Sequence, residues 1–276
     1  MGVRGRRPRG VTVKSAEQVL LMRAAGLVVA RALERVQAAV APGVSTGELD
    51  RIAEESIRSD GAIPSFLGYH GFPGSICASV GAEVVHGIPS TSRVLREGEL
   101  ISIDCGAILD GWHGDAAVSV PVGQCPPEVL ALSAVTEASM WAGLAAVRAG
   151  NHLSDIGAAV QAVVDPHGYG LLEDYTGHGI GRSMHEPPHV PNQAPKGPGH
   201  GFALTVGLVL AIEPMAVLGS PEVHELEDGW TVVTSDGSVG AHWEHTVALT
   251  ARGPWVLTAL DGGAAGLGVD PAVFPA

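Results

Sequence analysis

The feature that most narrows what this 276-residue chain can fold into is that its second half repeats the plan of its first. Ser15 with Gln18 three residues on is a capping-box start, and Ala16 to Val40 reads as one long helix stopped by Pro42-Gly43. Ser45-x-x-Glu48 opens a second helix, with Leu49, Ile52, Ala53 and Ile57 spaced for one buried face. Short β-rich runs punctuated by Gly and Pro follow from Ser65 to Gly123. The order then recurs: a helical pair at Pro127 to Val147 and Ser154 to Val164, then a β-rich stretch from Tyr169 to Ala251.

Laid over one another, the halves match in detail. Gly43 and Leu49 correspond to Gly150 and Ile156. Gly98-x-Leu100-x-x-Ile103-Asp104 recurs as Gly207-x-Val209-x-x-Ile212-Glu213, and Asp115-x-x-Val118 recurs as Glu244-x-x-Val247 after extra residues around Ser220 to Asp228. His70-Gly71 falls on His178-Gly179. Alternating helices and strands repeat loosely by chance, but they do not put a carboxylate at the end of an apolar strand at both pairs of positions. The expected fold is α/β: duplicated helix-helix-strand halves around a curved antiparallel sheet, with a site where the halves meet.

An acid beside an apolar strand is costly unless it is paired or holds a cation. Asp104 and Asp115 flank Asp110-Gly111-Trp112, a turn that folds two strands back and brings both acids together. Four acids and one imidazole form a hard-donor set suited to divalent first-row metals, and enough donors for two ions bridged by carboxylates. His185-Glu186-Pro187-Pro188-His189 has the spelling of a zinc-protease helix, but consecutive prolines rule out a regular helix there. An extended loop carrying His185 toward a pocket is expected instead.

Composition agrees. Hydrophobic residues make up 46% and charged residues 16%, enough for a sizeable core, and a net charge of −13 argues against a nucleic-acid binder. Cys77, Cys105 and Cys125 form no disulfide pattern, so a reducing cytoplasm is expected. Residues 1–14, with arginines at 4, 6, 7 and 9, read as a basic, disordered tail with scope for transient ribosome contact. The Gly/Ala-rich stretch 259–276 reads as a second tail, low in order.

Taken together, Cys77-Ala-Ser-Val, Val85-His86-Gly-Ile-Pro89, Ile103-Asp104, His113-Gly-Asp115, Gly177-His178-Gly-Ile-Gly181, His185-Glu-Pro-Pro188, Ile212-Glu213-Pro-Met215, Asp228-Gly-Trp230-Thr231 and Glu244-His-Thr246 resemble the type I methionine aminopeptidases. The motifs run in order from about Ser15 to Leu257, one catalytic domain over 15–258 with halves at 15–123 and 127–251. The resemblance implies the pita-bread fold and removal of the initiator methionine from nascent polypeptides and methionyl peptides when the second residue is small. Two divalent ions (Co, Mn, Fe, Ni or Zn) would be held by Asp104, Asp115, His178, Glu213 and Glu244, with Asp115 and Glu244 bridging. It implies that Glu213 accepts a proton from the attacking water, that His86 contacts the scissile amide, and that His185 donates to the carbonyl oxygen. Tyr69, Phe72, Cys77, Met184 and Trp230 would form the methionine pocket. Phe72 stands where relatives often carry Tyr, and Phe66 and Met184 also replace common pocket residues; Phe66 is expected in the core rather than the pocket. His113, His189 and His245 are expected at the surface or behind the ligands. A monomer with no membrane association is expected. The alternatives are a proline-directed peptidase of the same fold, a non-catalytic binding protein, and a calcium module, for which no D-x-[DN]-x-[DN]-G loop is present.

Overall fold

A computed structural model of the chain describes residues 9–195 and 201–274. Its helices are α1 (Ala16–Ala39), α2 (Thr46–Ser59), α3 (Pro127–Ala146), α4 (Leu153–Val164) and the short α5 (Ala264–Leu267). The strands are β1 (Ile63–Pro64), β2 (Ile76–Val80), β3 (Glu83–Val85), β4 (Leu100–Leu109), β5 (Trp112–Pro121), β6 (Gly170–Leu171), β7 (Gly177–Gly179) and β8 (Glu186–Val190). They continue with β9 (Val209–Ile212), β10 (Met215–Val217), β11 (Val223–Glu225), β12 (Val232–Thr234), β13 (Gly240–His242), β14 (Glu244–Thr250) and β15 (Gly253–Val256).

Local chemistry starts the helices where the sequence says. The Ser15 hydroxyl accepts from the Gln18 N–H while the Gln18 side chain accepts from the Ser15 N–H, so both orphan donors of the first turn of α1 are satisfied. Ser45 caps α2 through the Glu48 N–H. Asp110 and Gly111 both adopt positive φ (51° and 73°), the mirror-image turn that suits a two-residue hairpin, and β4 and β5 pair over their full length from Leu100↔Pro121 to Leu109↔Trp112.

The main sheet runs β1-β4-β5-β14-β9-β7-β8, antiparallel throughout, with β2 on β4 and β15 on β14. The duplication is visible in this order. The hairpin partners β4-β5 of the first half meet the equivalent pair β14-β9 of the second, and the seam between halves is β5 against β14, at Glu244↔Ala117 and His245↔Ala116. α1 and α2 pack on the first-half strands, burying Val29, Leu33, Val36, Leu49 and Ile57 against Ile101, Ile103 and Val118. α3 and α4 do the same in the second half, with Leu132, Met140, Leu144, Ile156 and Val160 against Leu210, Ile212 and Val247. Helix α3 is long and apolar enough to cross a membrane by length and composition, yet those residues lie in this core.

Two expectations about the ends need correction. Residues 1–8 lie outside the described residues, but 9–14 are not a loose tail: the Lys14 N–H donates to Gly207 O, and its side chain is buried and ion-paired with Glu186. Within the Gly/Ala-rich C-terminal stretch, described to Phe274, Gly262, Gly263 and Ala264 are also packed. Ala264 is buried, Trp255 stacks on Phe274, and the Arg23 guanidinium donates to the carbonyls of Leu257, Ala259 and Leu260. Small residues are required here because the indole of Trp141 would collide with any side chain at Gly266.

Candidate metal centre

Side chains of a strand alternate between faces. Ile101, Ile103 and Cys105 of β4 enter the first-half core, so Asp104 faces the other way. On β5, Ala116 and Val118 face the core and Asp115 does not; on β14, Val247 and Leu249 do and Glu244 does not. Leu210 and Ile212 put Glu213 on that same opposite face. Register then gathers the donors into two rows. Asp104, Ala117 and Glu244 lie level across β4, β5 and β14, and the small Ala117 leaves the space between the two acids open. In the next row Asp115 stands beside Thr246, which lies level with Ala211 and His178. The Thr246 hydroxyl stitches the seam, donating to Asp115 O (2.8 Å) and accepting from Asp115 N (3.2 Å).

The ligand atoms of Asp115, His178 and Glu244 lie within 4.8 Å of one another, all three buried. His178 Nε2 is 3.4 Å from Glu213 Oε1, and its Nδ1 pairs with Gly179 O at 3.0 Å, which leaves Nε2 for the acids. Buried oxygens of Asp104, Asp115 and Glu244 have no hydrogen-bond partner at all. Burial lifts the Asp104 carboxyl to about 7, and burial followed by repulsion from neighbouring acids lifts Asp115, Glu213 and Glu244 as well. Burial, with nearby His185 as the next cause, drops His178 to about 3, so it is a neutral donor. Orphaned hard oxygens around a neutral imidazole fit a divalent cation, and the buried cluster of Asp115, His178 and Glu244 is a divalent metal site.

The duplicated sequence aligned His178 with His70, and here the structure differs. His70 sits in a turn at Tyr69–Gly71 with φ 47°, off the sheet. The strand that pairs with β4 as β7 pairs with β9 is β2, whose Cys77 lies level with Asp104. The near-symmetric cage therefore has an imidazole from β7 on one side and, from β2 on the other, only Cys77 in the cavity wall.

The remaining predicted residues converge on the same cavity. Phe66, Tyr69, Phe72, Cys77, Met184 and Trp230 line a space of about 130 Å³ floored by Asp104, Asp115, His178, Glu213 and Glu244. Phe66 is thus a pocket wall, not a core residue. Phe72 and Trp230 meet edge to face at 5.1 Å. Asp228 accepts from the N–H groups of Trp230 and Thr231 and so holds the indole. His86 and His185 stand at the mouth, where a wider cleft of about 380 Å³ opens past Asp174 and Tyr175. His86 has φ 59°, a conformation costly for a side-chain-bearing residue. Burial lowers the pKa of both imidazoles, aided at His86 by His185 and at His185 by His70 and His189. The segment 186–190 of the false zinc-protease motif is strand β8, so it does not form the helix that motif needs. His189 is exposed; His113 and His245 are held behind the site by Ser65 and Thr258.

One residue of the site carried no signal in the sequence. His242 is buried, its Nε2 lacks a partner and lies 3.9 Å from Glu213 Oε2, and it lines the wider cleft. It belongs to no acidic motif, and only the pairing Met215↔His242 brings it beside Glu213.

A helix-backed antiparallel sheet presenting four acids and one imidazole in a pocket walled by apolar side chains defines a metallohydrolase. The chain belongs to metallopeptidase family M24, whose family model matches residues 20–251. Methionine aminopeptidase 1 of Mycobacterium tuberculosis is 52% identical over 262 residues, covering 93% of this chain and 97% of that protein. Methionine aminopeptidase 1 of Bacillus subtilis is 48% identical over 248 residues, covering 90% and 99%. The crystal structure of methionine aminopeptidase from Rickettsia prowazekii superposes with a TM-score of 0.87 at 38% identity, covering 90% of this chain and 99% of that one. The pita-bread fold expected from the sequence is the fold observed.

Proposed function

We propose that this metallo-aminopeptidase removes N-terminal methionine from peptides and nascent polypeptides in the cytoplasm, acting as a monomer on substrates whose second residue is small. One observation carries the reading: the carboxylate cage lies at one end of a small pocket of about 130 Å³ whose other walls are Phe66, Tyr69, Phe72, Cys77, Met184 and Trp230. A thioether suits that lining of aromatic rings and Met184 through dispersion and sulfur–aromatic contact.

Asp104, Asp115, His178, Glu213 and Glu244 would hold two divalent ions, Asp115 and Glu244 being central, with Co, Mn, Fe, Ni and Zn all compatible with the donors. Such ions, when bound, lower the pKa of water and polarise the scissile carbonyl. The protein's part is positional and protonic. The pocket fixes the methionine side chain so that the first peptide bond lies over the acids. Glu213, raised in pKa and beside His178, accepts a proton from the attacking water and delivers it to the leaving amine. Neutral His185 donates to the carbonyl oxygen as negative charge develops on it, and neutral His86 hydrogen-bonds the scissile amide. Transient contact with the ribosome through the basic N-terminus fits a co-translational role.

A Met-Ala-Ser peptide and an Ala-Pro peptide, each assayed with and without the five metals, test this. Cleavage of the first alone, abolished by chelation, is expected. Failure to cleave any methionyl peptide with any of the metals would refute the assignment.

A further inference from the structure

The turn that carries Met184 and His185 is shaped by one carboxylate. Glu186 Oε1 accepts from the N–H groups of Arg182 (2.9 Å) and Ser183 (3.3 Å), closing the turn over the two residues that reach the cavity. Its other oxygen faces the N-terminal segment: Oε2 accepts from the Thr12 hydroxyl at 2.6 Å and from Lys14 Nζ at 2.9 Å. The Lys14 side chain is 5% exposed and that of Glu186 11%, so this is a largely desolvated pair rather than a surface contact. Lys14 is itself anchored, because its backbone N–H donates to Gly207 O and the cap residue Ser15 follows it. The outer side of the turn has a second anchor, with the Arg182 guanidinium 4.3 Å over the Trp112 ring and donating to Asp110 O and Gly111 O. Removing one member of a buried pair leaves the other charge unpaired in a dry site, which the turn relieves only by moving toward water.

We propose that Lys14 is a positioning residue for the aminopeptidase reaction: through Glu186 it fixes the 181–186 turn, and so places His185 at the reacting carbonyl and Met184 in the pocket wall. This rests on the function proposed above. Lys14 touches no substrate, and its effect passes through one carboxylate to an imidazole adjacent in sequence. Because misplacing a catalytic group by about 1 Å costs up to about 100-fold, loss of the anchor acts on turnover more than on binding.

The experiment compares metal-loaded full-length enzyme with Lys14→Met, Lys14→Arg and Glu186→Gln, using steady-state kinetics on Met-Ala-Ser and the rate at which trypsin cuts after the exposed Arg182. For Lys14→Met and for Glu186→Gln, kcat should fall at least about tenfold with KM moving less, and cleavage after Arg182 should quicken about tenfold. Lys14→Arg, which keeps a donor to Glu186, should stay within about threefold of the unaltered enzyme on both measures. Equal losses in Lys14→Arg and Lys14→Met would overturn the proposal, as would unchanged kcat and unchanged cleavage in Lys14→Met. If Lys14→Met does not fold, Glu186→Gln decides by the same measures. Should the unaltered enzyme cleave no methionyl peptide, the functional reading fails, while the trypsin rates still decide whether Lys14 holds the turn.

Discussion

The phenolic oxygen of Tyr69 lies 2.8 Å from Nδ1 of His185, and this bond sets which nitrogen of the imidazole is free to act. Burial keeps the ring neutral, so it carries a single proton. With the hydroxyl donating to Nδ1, that proton resides on Nε2 and can be given to a carbonyl oxygen. Replacing Tyr69 with Phe removes the bias while leaving the pocket wall in place. We expect kcat on Met-Ala-Ser to fall up to about tenfold, the worth of one such hydrogen bond, with little change in KM. Unchanged kcat in Tyr69→Phe would show that the bond does not set the tautomer.

Metal uptake should release protons. Asp104 titrates at about 7, and Asp115, Glu213 and Glu244 are also displaced upward, first by burial and then by one another. A raised carboxyl pKa means a proton is bound below it, so a cation entering at pH 6.5 must displace protons that at pH 8.5 have in part already left. Calorimetric titration of the chelated protein with Mn in buffers of different ionisation enthalpy measures the number released. More protons at pH 6.5 than at pH 8.5 is the expected result; equal numbers would mean that none of the acids titrates between these two pH values. Asp115→Ala, which removes a central donor, should abolish turnover and weaken this uptake.

The sequence disclosed most of this centre because its information is periodic. Alternation along β4, β5, β9 and β14 determines which acids share a face, and the duplicated strand ends pair Asp104 with Glu213 and Asp115 with Glu244. What it could not disclose depends on distance in space. An alignment by residue count gave His178 the partner His70, whereas His70 sits in a turn off the sheet and β2 takes the place of β7, because the connections differ in length between the halves. Lys14 looked like part of a charged tail, since nothing near it in the chain reveals that Glu186 closes over it. The Gly/Ala-rich C-terminus looked loose for a related reason: small residues mark disorder in one setting and close packing in another, and the indoles they pack against come from Trp141 and Trp255.

The Lys14–Glu186 pair makes stability depend on pH with a definite sign. Burial alone would raise the Glu186 pKa, but hydrogen bonds from Lys14 and Thr12 and the lysine charge outweigh it and hold the carboxyl below its ordinary 4.5. A depressed carboxyl pKa contributes stability that is complete above the unfolded value and is lost as pH falls through the folded one. Above about pH 5 the unaltered protein should therefore be more stable than Glu186→Gln, and the difference should shrink as the pH drops below 4.5. Urea unfolding of both proteins from pH 7 to pH 3.5 checks it. A gap that is constant across that range would mean that the charge on Glu186 contributes nothing.

From behind, Gly106 sets the depth of the pocket walled by Phe66. It lies level with Asp115 on the neighbouring strand, and a Cβ there would fall 2.8 Å from Phe66 Cε1 and 2.8 Å from Ser65 Cβ. Ser65 cannot yield easily, because its N–H donates to Gly106 O and its hydroxyl pairs with His113 Nδ1. The ring of Phe66 is the freer neighbour, and the space open to it is the pocket itself. Gly106→Ala should push the ring inward, shortening a cavity of only about 130 Å³. Overpacking of this kind costs roughly 1–3 kcal/mol of stability. It should also raise KM for Met-Ala-Ser several-fold, while a peptide beginning with the shorter aminobutyrate loses far less. Equal losses for the two peptides would place Phe66 outside the path of the methionine side chain, and Gly106→Ala combined with Phe66→Leu should then fail to restore methionine binding.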